Sequence, residues 1–595
     1  MNRPLPAPAD APPLRYWFAG LKLEADGTLL RRQTPLELPT EEAAVLRLLL
    51  MRAGEIVSPI ELKRAVWGEE HASGEVVAKC VASLRERLQP ADCIEGVYKR
   101  GYRISAAVET DDVQEAGAMP RLAIMPFGGG YGVADYLGSA IAEAAMAQLS
   151  GAEYAVVSVV ARESVFALAR RGMTPHEIGK ALEADLVLNG ELHATPERLR
   201  LRAEMVRVAD GAQLWIEDLT VERGRIMELE REVVNRVSSR IRCGGFSIAA
   251  VAAAEVPREA SAQRSEAHEL YLRAHHEWQS LERHRMQDAM GRLQRAIELD
   301  PSFIAARADL AHLCVTQAFY GFMLPTAAAG VVRRAAAQIP ELAGNSETLL
   351  PALGWIYFHV DRNLRAALDA FARSAHLPQD PRVTRVRTMF LLSRHRFDEA
   401  LETLRAAIQA DPFSPWLQAR LAWALHLAGE AEASVDQIRK TISQFTEHDG
   451  AHLYGAMILA YNGETARAVE LARALASRSA HDLATAAHAY ALACAGRKEE
   501  ARTLLERLQW LSRERFVMNT FDAATYVAMD DDDAALEELR IANENRCPWF
   551  FQTLGDPRLQ PLRGRPEFER MRSSLRAIEA DAENSEEPDW VERAG

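Results

Sequence analysis

The chain has 595 residues, 48% hydrophobic and 26% charged, with a net charge of −14. That length suggests about three to five domains with large cores, and the acidity excludes a protein coated along its whole length in nucleic acid. The six cysteines are scattered without a CxxC pair, which points to a reduced cytoplasmic protein and away from a zinc site or disulfide framework. Charge is unevenly spread: residues 1–107 carry 15 Lys/Arg against 14 Asp/Glu, so the acidity lies in the rest of the chain.

Residues 1–13 are Pro/Ala-rich and lack the apolar core of a signal peptide. Short strands are expected at Arg15–Phe18, Leu21–Glu24, Thr28–Arg31 and Leu36–Leu38. Thr40 is the expected cap of a helix running to about Ala53. Ser58, Pro59 and Glu61 make a capping box that opens a second helix to Trp67. Over Ser73–Leu88, Val77, Cys80, Val81, Leu84 and Leu88 recur at helical spacing and form one apolar face, with Ser73 as N-cap. Glu75, Lys79, Ala82, Ser83 and Glu86 form the opposite face, flanked by Arg85 and Arg87. Ile94–Val97 and Tyr102–Ile104 make a hairpin tipped by Lys99 and Arg100, with Gly101 free to take a positive φ. A narrow helix with a polar outer face suits the major groove, and a basic tip suits flanking phosphates. The expected DNA-contacting residues are therefore Lys79, Ser83, Arg85, Arg87, Lys99 and Arg100.

The Leu84–Arg85 pair and the Gly101–Tyr102–Arg103 signature resemble the winged helix-turn-helix domain of the response-regulator and ToxR-like transcription factors, over roughly residues 14–107. The resemblance implies promoter DNA as partner. Two positions depart from the family pattern: Gly74 replaces the acid before the recognition helix, and Gly96 replaces a threonine at the start of the wing. ToxR-like regulators often carry a membrane span after this domain. Here no stretch approaches the roughly 18 apolar residues a span needs.

After an acidic linker, residues 119–242 alternate between strand and helix, which implies an α/β domain with a mixed sheet. Strands are expected at Arg121–Phe127, Tyr154–Val160, Leu186–Leu192, Arg198–Arg207 and Gln213–Val221. Helices are expected at Asp135–Leu149, at Thr174–Glu183 with Thr174 as cap, and at Met227–Ile241. The runs LAIMPFGG, DLVLNGELH and AQLWIEDL resemble the TolB-amino-terminal-like domain. Gly128–Gly132 follows the first strand and has a form that can cradle a phosphate, but it matches neither a P-loop nor GxGxxG.

Residues 243–264 read as an Ala-rich linker. A cut there, near Val256, is expected to expose no apolar face and to leave 257–595 folding alone. Beyond it, turn motifs start at Asp361, His395, Gly429, Gly463, Gly496 and Met529, the period of tetratricopeptide repeats. About eight helix pairs are expected over 265–576, with Ala366, Ala400, Ala468, Ala501 and Ala534 as packing positions and Trp549–Leu575 as an end cap. Stacked pairs make a superhelix whose concave groove is the expected seat of a protein or peptide partner.

His275 and His276 are adjacent and do not share a helix face, so they form no metal pair. No catalytic, cofactor or metal-ligating constellation is expected, and the chain is not expected to be an enzyme. The expected architecture is multidomain: a winged helix (α+β), an α/β TolB-N-like domain and an all-α tetratricopeptide superhelix, a layout similar to HilA-type activators. That layout implies a cytoplasmic regulator of transcription, with dimerisation on DNA left open. The rival readings are a scaffold whose winged helix makes protein contacts, supported by Glu75 and Glu86 on the groove face, and a nucleotide-responsive protein using Gly128–Gly132.

Overall fold

The computed structural model describes residues 14–584, apart from 25–26, 32–33, 37, 53–55, 68–73, 90–92, 98–99, 107, 113–118, 130–134, 151–156, 244–261, 279–281, 338–344, 376, 378–380 and 480. Two compact units result. Met1–Pro120 makes up the bulk of the first, and most of Arg121–Val233 with Ala254–Gly595 makes up the second.

In the first unit, β1 (Leu14–Phe18), β2 (Leu21–Leu23), β3 (Leu29–Arg31) and β4 (Thr34–Leu36) precede three helices. These are α1 (Thr40–Met51), α2 (Pro59–Trp67) and α3 (Gly74–Leu88), followed by the hairpin β5 (Ile94–Val97) and β6 (Gly101–Ile104) and by β7 (Val108–Asp112). The sheet runs β4-β3-β2-β1-β7. The fourth strand lies two residues earlier than expected. Thr40 is the first helical residue of α1 rather than its cap; the cap position is Pro39, which offers no side-chain acceptor. The expected capping box of α2 is present: Ser58 N–H donates to Glu61 Oε2 (2.9 Å) and Glu61 N–H to Ser58 Oγ (3.2 Å). The expected N-cap Ser73 lies outside the described residues.

Beyond Pro120, β8 (Arg121–Ile124), β9 (Gly128–Gly129), α4 (Asp135–Leu149), β10 (Ser158–Val159), α5 (Arg162–Arg170), α6 (Pro175–Ala181), β11 (Leu186–Ala194), β12 (Arg198–Arg207), β13 (Gln213–Glu222) and α7 (Ile226–Cys243) form the α/β part. Its mixed sheet runs β10-β8-β11-β12-β13. Along β12, Leu199, Leu201, Ala203 and Met205 are buried and alternate with the exposed Arg198, Arg200 and Arg202 and the half-buried Glu204, the period-two pattern of a half-buried strand. The Thr174 capping box forms with Glu177. Helix α5 was not expected; its nine residues fall between a strand and a turn without a capping residue to announce them. Gly128 and Gly129 pair in parallel with Glu191 and Leu192 of β11. They therefore extend the sheet, and the rest of the glycine loop lies outside the described residues.

Among the described residues eight helix pairs follow: α8 (Ala262–Glu277) with α9 (Arg283–Leu299), α10 (Ile304–Phe319) with α11 (Pro325–Ala337), α12 (Leu350–His359) with α13 (Leu364–Arg373), and α14 (Pro381–Ser393) with α15 (Phe397–Ala410). Then come α16 (Pro415–Leu427) with α17 (Ala431–Gln444), α18 (Asp449–Tyr461) with α19 (Thr465–Arg478), α20 (Asp482–Cys494) with α21 (Lys498–Ser512), and α22 (Asn519–Ala528) with α23 (Asp532–Glu544). The chain closes with α24 (Phe550–Leu554), a 3-10 turn (Pro557–Leu562) and α25 (Pro566–Asn584).

Each intra-pair turn from the third pair on carries one left-handed residue: Arg362, His395, Gly429, Gly463, Gly496 and Asp530. This conformational marker corrects the repeat register at both ends. The fully buried alanines are Ala367, Ala400, Ala468, Ala501 and Ala535, so the expected Ala366 and Ala534 are one residue early. Arg362 and His395 adopt the left-handed region without being glycine, at a cost of about 1–2 kcal/mol each. Both are held by Phe551: the Arg362 guanidinium lies 3.9 Å from its ring centroid, and His395 Nε2 sits 2.7 Å from its carbonyl oxygen.

That contact belongs to a larger correction. The inner face of the repeats is filled by the chain's own C-terminal segment. Trp549, 1% exposed, donates from Nε1 to the Phe319 carbonyl of α10 (2.8 Å) and packs against Trp423 of α16, Tyr454 of α18 and Phe521 of α22. One side chain thus touches the first helices of four pairs. Arg420, fully buried beside it, donates to Tyr454 Oη (3.0 Å) and Gln552 Oε1 (3.4 Å). The first helices α10, α18, α20 and α22 are accordingly buried around almost their whole circumference, whereas the second helices bury one face. Trp549–Leu575 plugs the groove as well as capping the stack.

The linker at 243–264 does not separate independent bodies either, because the α/β part is docked on the repeats. Asp411, the C-cap of α15, accepts a hydrogen bond from Ser164 N–H (2.9 Å) and another from the Ser164 hydroxyl. It thereby caps α5, whose own cap position is Ala161. Arg171 donates to the Gln444 carbonyl (2.8 Å). His275 bridges Glu143 of α4 (3.1 Å) and Asp309 of α10 (2.9 Å), and Asp309 also holds Arg382. Burial opposes charge on His275, but the hydrogen bonds its ring donates to these two carboxylates carry its pKa up to about 9. It is a half-buried cation between the α/β part and the repeats.

Candidate nucleic-acid interface

The winged helix is built around α3. Val77, Val81, Leu84 and Leu88, each at most 1% exposed, pack against Leu46, Leu49 and Leu50 of α1, Leu62 and Val66 of α2, and Ile94 and Ile104 of the hairpin. This stripe fixes which side of α3 faces out. The exposed residues are Ala78, Lys79, Ala82, Arg85, Glu86, Arg87 and Gln89. Ala78, Ala82 and Gln89 were not among the expected site residues. Their spacing from Lys79 and Arg85 is the signal that finds them, and two methyl side chains let another surface approach the helix closely.

The wing is fixed to the helical core by Val57. Its N–H donates to the Tyr102 carbonyl (2.8 Å), and the Tyr102 N–H donates back (3.0 Å). Gly101 has φ +145°, and a Cβ there would lie 2.1 Å from the Val57 carbonyl oxygen. The glycine is required by conformation and by close approach at once. Arg100 N–H donates to the Val97 carbonyl (2.9 Å) to close the turn, and its side chain is exposed. Gly96, where the resembled family has threonine, makes room for Arg85: a Cβ at Gly96 would meet Arg85 Nη2 at 3.2 Å. Arg85 also donates from Nε to the Ile94 carbonyl (3.0 Å), which lays its guanidinium between α3 and the wing.

The six expected site residues separate. Lys79, Arg85, Arg87 and Arg100 are exposed. Ser83 is half-buried and donates to Glu42 Oε1 of α1 (2.7 Å), so it does not lie on the free face. Arg87 pairs with the same carboxylate (Nε to Oε2, 3.0 Å). Both belong to the seam between α1 and α3, a long-range contact that helical periodicity cannot reveal. Lys99 lies outside the described residues, as does the side chain of Glu75. Burial, then the nearby Glu42 and Glu41 charges, push the Cys80 thiol up to about 11, so it stays neutral and unreactive. Among the described residues no group of His, Cys, Asp and Glu is arranged to hold a metal, and no helix is long and apolar enough to cross a membrane.

Residues 33–104 match the family described as "Transcriptional regulatory protein, C terminal". The chain is similar to the transcriptional regulator HilA of Salmonella typhimurium, 24% identical over 579 residues, covering 92% of this chain and 98% of that one. It is 23% identical to HilA of Salmonella typhi over the same shares. A putative adenylate cyclase 3 of Rhizobium meliloti is 27% identical over 204 residues, 33% of each chain. Among solved structures, the DNA-binding domain of E. coli CadC is 24% identical, covers 17% of this chain and 98% of its own, and aligns with a TM-score of 0.16.

Proposed function

We propose that the chain is a cytoplasmic, DNA-binding regulator of transcription that inserts α3 into the major groove of promoter DNA and rests the wing on the adjacent backbone. The observation that carries this reading is the outward face of α3 inside the matched domain: Ala78, Lys79, Ala82 and Arg85 on a helix anchored along its opposite side, with Arg100 at the wing tip. Lys79 and Arg85 are the base-reading candidates, and Arg100, with Lys99, the phosphate-contacting ones. Ser83 and Arg87 hold α3 against α1 and act on DNA through its angle. The second unit receives the signal or protein partner. With its inner face filled, the surface it offers is the charged outer side of the second helices. No step of catalysis is assigned.

The test is selection of bound duplexes from a random pool by the full chain, followed by titration in rising salt. The reading expects a recurrent sequence, bound with affinity that falls steeply as salt rises. A pool that stays random, or affinity indifferent to salt, overturns it.

A further inference from the structure

We propose that the free edge of the α/β sheet, strand β13, is where a second copy of this chain docks, by antiparallel pairing of β13 with β13 across a two-fold axis. Strand β13 ends the sheet and, among the described residues, pairs with β12 alone. Arg223 N–H donates to the Glu197 carbonyl (2.9 Å) just beyond the last pair of the two strands, which fixes the phase of the antiparallel ladder. Trp215, Glu217, Leu219 and Val221 therefore turn their backbone groups to β12. Ile216, Asp218, Thr220 and Glu222 turn theirs outward. Among the described residues only the Glu222 carbonyl finds a partner there, the Arg225 N–H (2.9 Å). Three usual guards of an edge are missing: residues 215–222 hold no proline and no lysine, and the bulge opposite Met205 and Val206 lies before them.

A second copy suits this edge better than a basic strand does. Asp218 already holds Arg200 of β12 (2.8 Å) and Glu222 holds Arg225 (3.3 Å), so neither acid is left to recruit a cationic partner. Outward backbone groups meet their counterparts only when even-numbered residues face even-numbered ones. The two longest registers of that kind set Asp218 against Asp218, or Glu217 against Glu217, of the second copy, and like charges directly opposite are destabilising. A register centred on Leu219 avoids both and stays clear of the bulge. It joins residues 216–222 of each copy, with Ile216 opposite Glu222 and Asp218 opposite Thr220 as hydrogen-bonded pairs. On the inner face Leu219, 6% exposed, meets Leu219 of the second copy, and Glu217 meets Val221. On the outer face Ile216, 41% exposed, gains a neighbour. Two chains joined in this way carry two winged helices and can hold two half-sites together. The pairing itself does not depend on DNA.

The test uses the full chain without DNA. Sedimentation over about 1–100 µM is expected to show a monomer–dimer equilibrium. Thr220→Pro removes an outward N–H and no ladder bond to β12, so the fold should persist by circular dichroism while dimerisation weakens at least about tenfold. Cysteine substitutions then read the register. Leu219 falls on the two-fold axis at a non-hydrogen-bonded position, where Cα atoms lie about 4.5 Å apart, within reach of a disulfide. Leu219→Cys should therefore cross-link the dimer under an added oxidant. Val221→Cys, about 13 Å along the strand from its counterpart, should give no more cross-link than the parent chain with its own cysteines. A parent chain that stays monomeric over that range overturns the proposal. So does a folded Thr220→Pro chain that dimerises as tightly as the parent, or a dimer that Leu219→Cys does not cross-link in preference to Val221→Cys.

Discussion

Replacing Asp411 by Asn should make the chain more stable under mildly alkaline conditions, by an amount that shrinks in mild acid and vanishes only below about pH 4. The Asp411 carboxyl is 8% exposed, caps α5 through Ser164 N–H at 2.9 Å, and shares its surroundings with Glu163, which accepts from the Ser414 hydroxyl. Burial, and then the neighbouring Glu163 charge, push its pKa from an ordinary 3.8 up to about 7. Between about pH 4 and pH 7 the folded carboxyl therefore keeps a proton that the unfolded one has lost. The stability it contributes is complete below about pH 4 and disappears as pH rises through about 7. A shift of that size, at 1.36 kcal/mol per unit, sets a ceiling of about 4 kcal/mol. Asparagine has the same shape, keeps an Oδ1 acceptor for Ser164 and cannot ionise, so it retains the cap without the penalty. The assay is urea unfolding of both full chains at about pH 5 and about pH 8. Taking the difference between the chains removes the other titrating groups. Among them is His275, whose raised pKa gives stability that is full below about 6.5 and lost as pH rises through about 9. An Asn chain no more stable than the parent at the higher pH, or equally favoured at both, refutes the reasoning.

Three further outcomes are expected. Trp549→Ala should destabilise the second unit by about 3–5 kcal/mol, because it empties a site shared by four first helices and strands the Phe319 carbonyl; denaturation followed by near-UV circular dichroism reads it, and a loss confined to the last helices would be a contradiction. Gly101→Ala should disrupt the wing through the Val57 carbonyl and lower DNA binding while the repeats keep their melting transition. Lys79→Ala should relax sequence preference by about 1–3 kcal/mol, whereas Ser83→Ala should instead lower the stability of the first unit by about 1 kcal/mol through its lost bond to Glu42. A purely sequence-discriminating defect in Ser83→Ala would return that residue to the groove face.

Much of this was legible in the chain because the signals are local. The α2 capping box, the apolar stripe of α3, the positive φ at Gly101 and the Thr174 cap each rest on residues within a few positions of one another. What was not legible depends on partners far away in sequence. Ser83 looks outward by helical period, and only the fold brings Glu42 beside it. Asp411–Pro412 reads as the end of a repeat helix, yet the carboxyl caps a helix nearly 250 residues upstream. Trp549 reads as part of an end cap, although it is the hub of the filled groove. A signal for that filling existed in principle: α18 and α20 are apolar around their whole circumference, the mark of a helix without a wet face. The non-glycine turn residues Arg362 and His395 mark the same plug, since each left-handed backbone is held by Phe551.

The central claim is that this chain regulates transcription by reading DNA through α3. Its most direct test is genome-wide mapping of the full-length protein in cells, beside Lys79→Ala and Arg100→Ala, with transcript levels recorded at each occupied site. The account predicts discrete promoter sites sharing one motif, redistributed by Lys79→Ala and uniformly weakened by Arg100→Ala, with transcription changing at those promoters. Sites without a common motif, or a map that both substitutions leave intact, would contradict it.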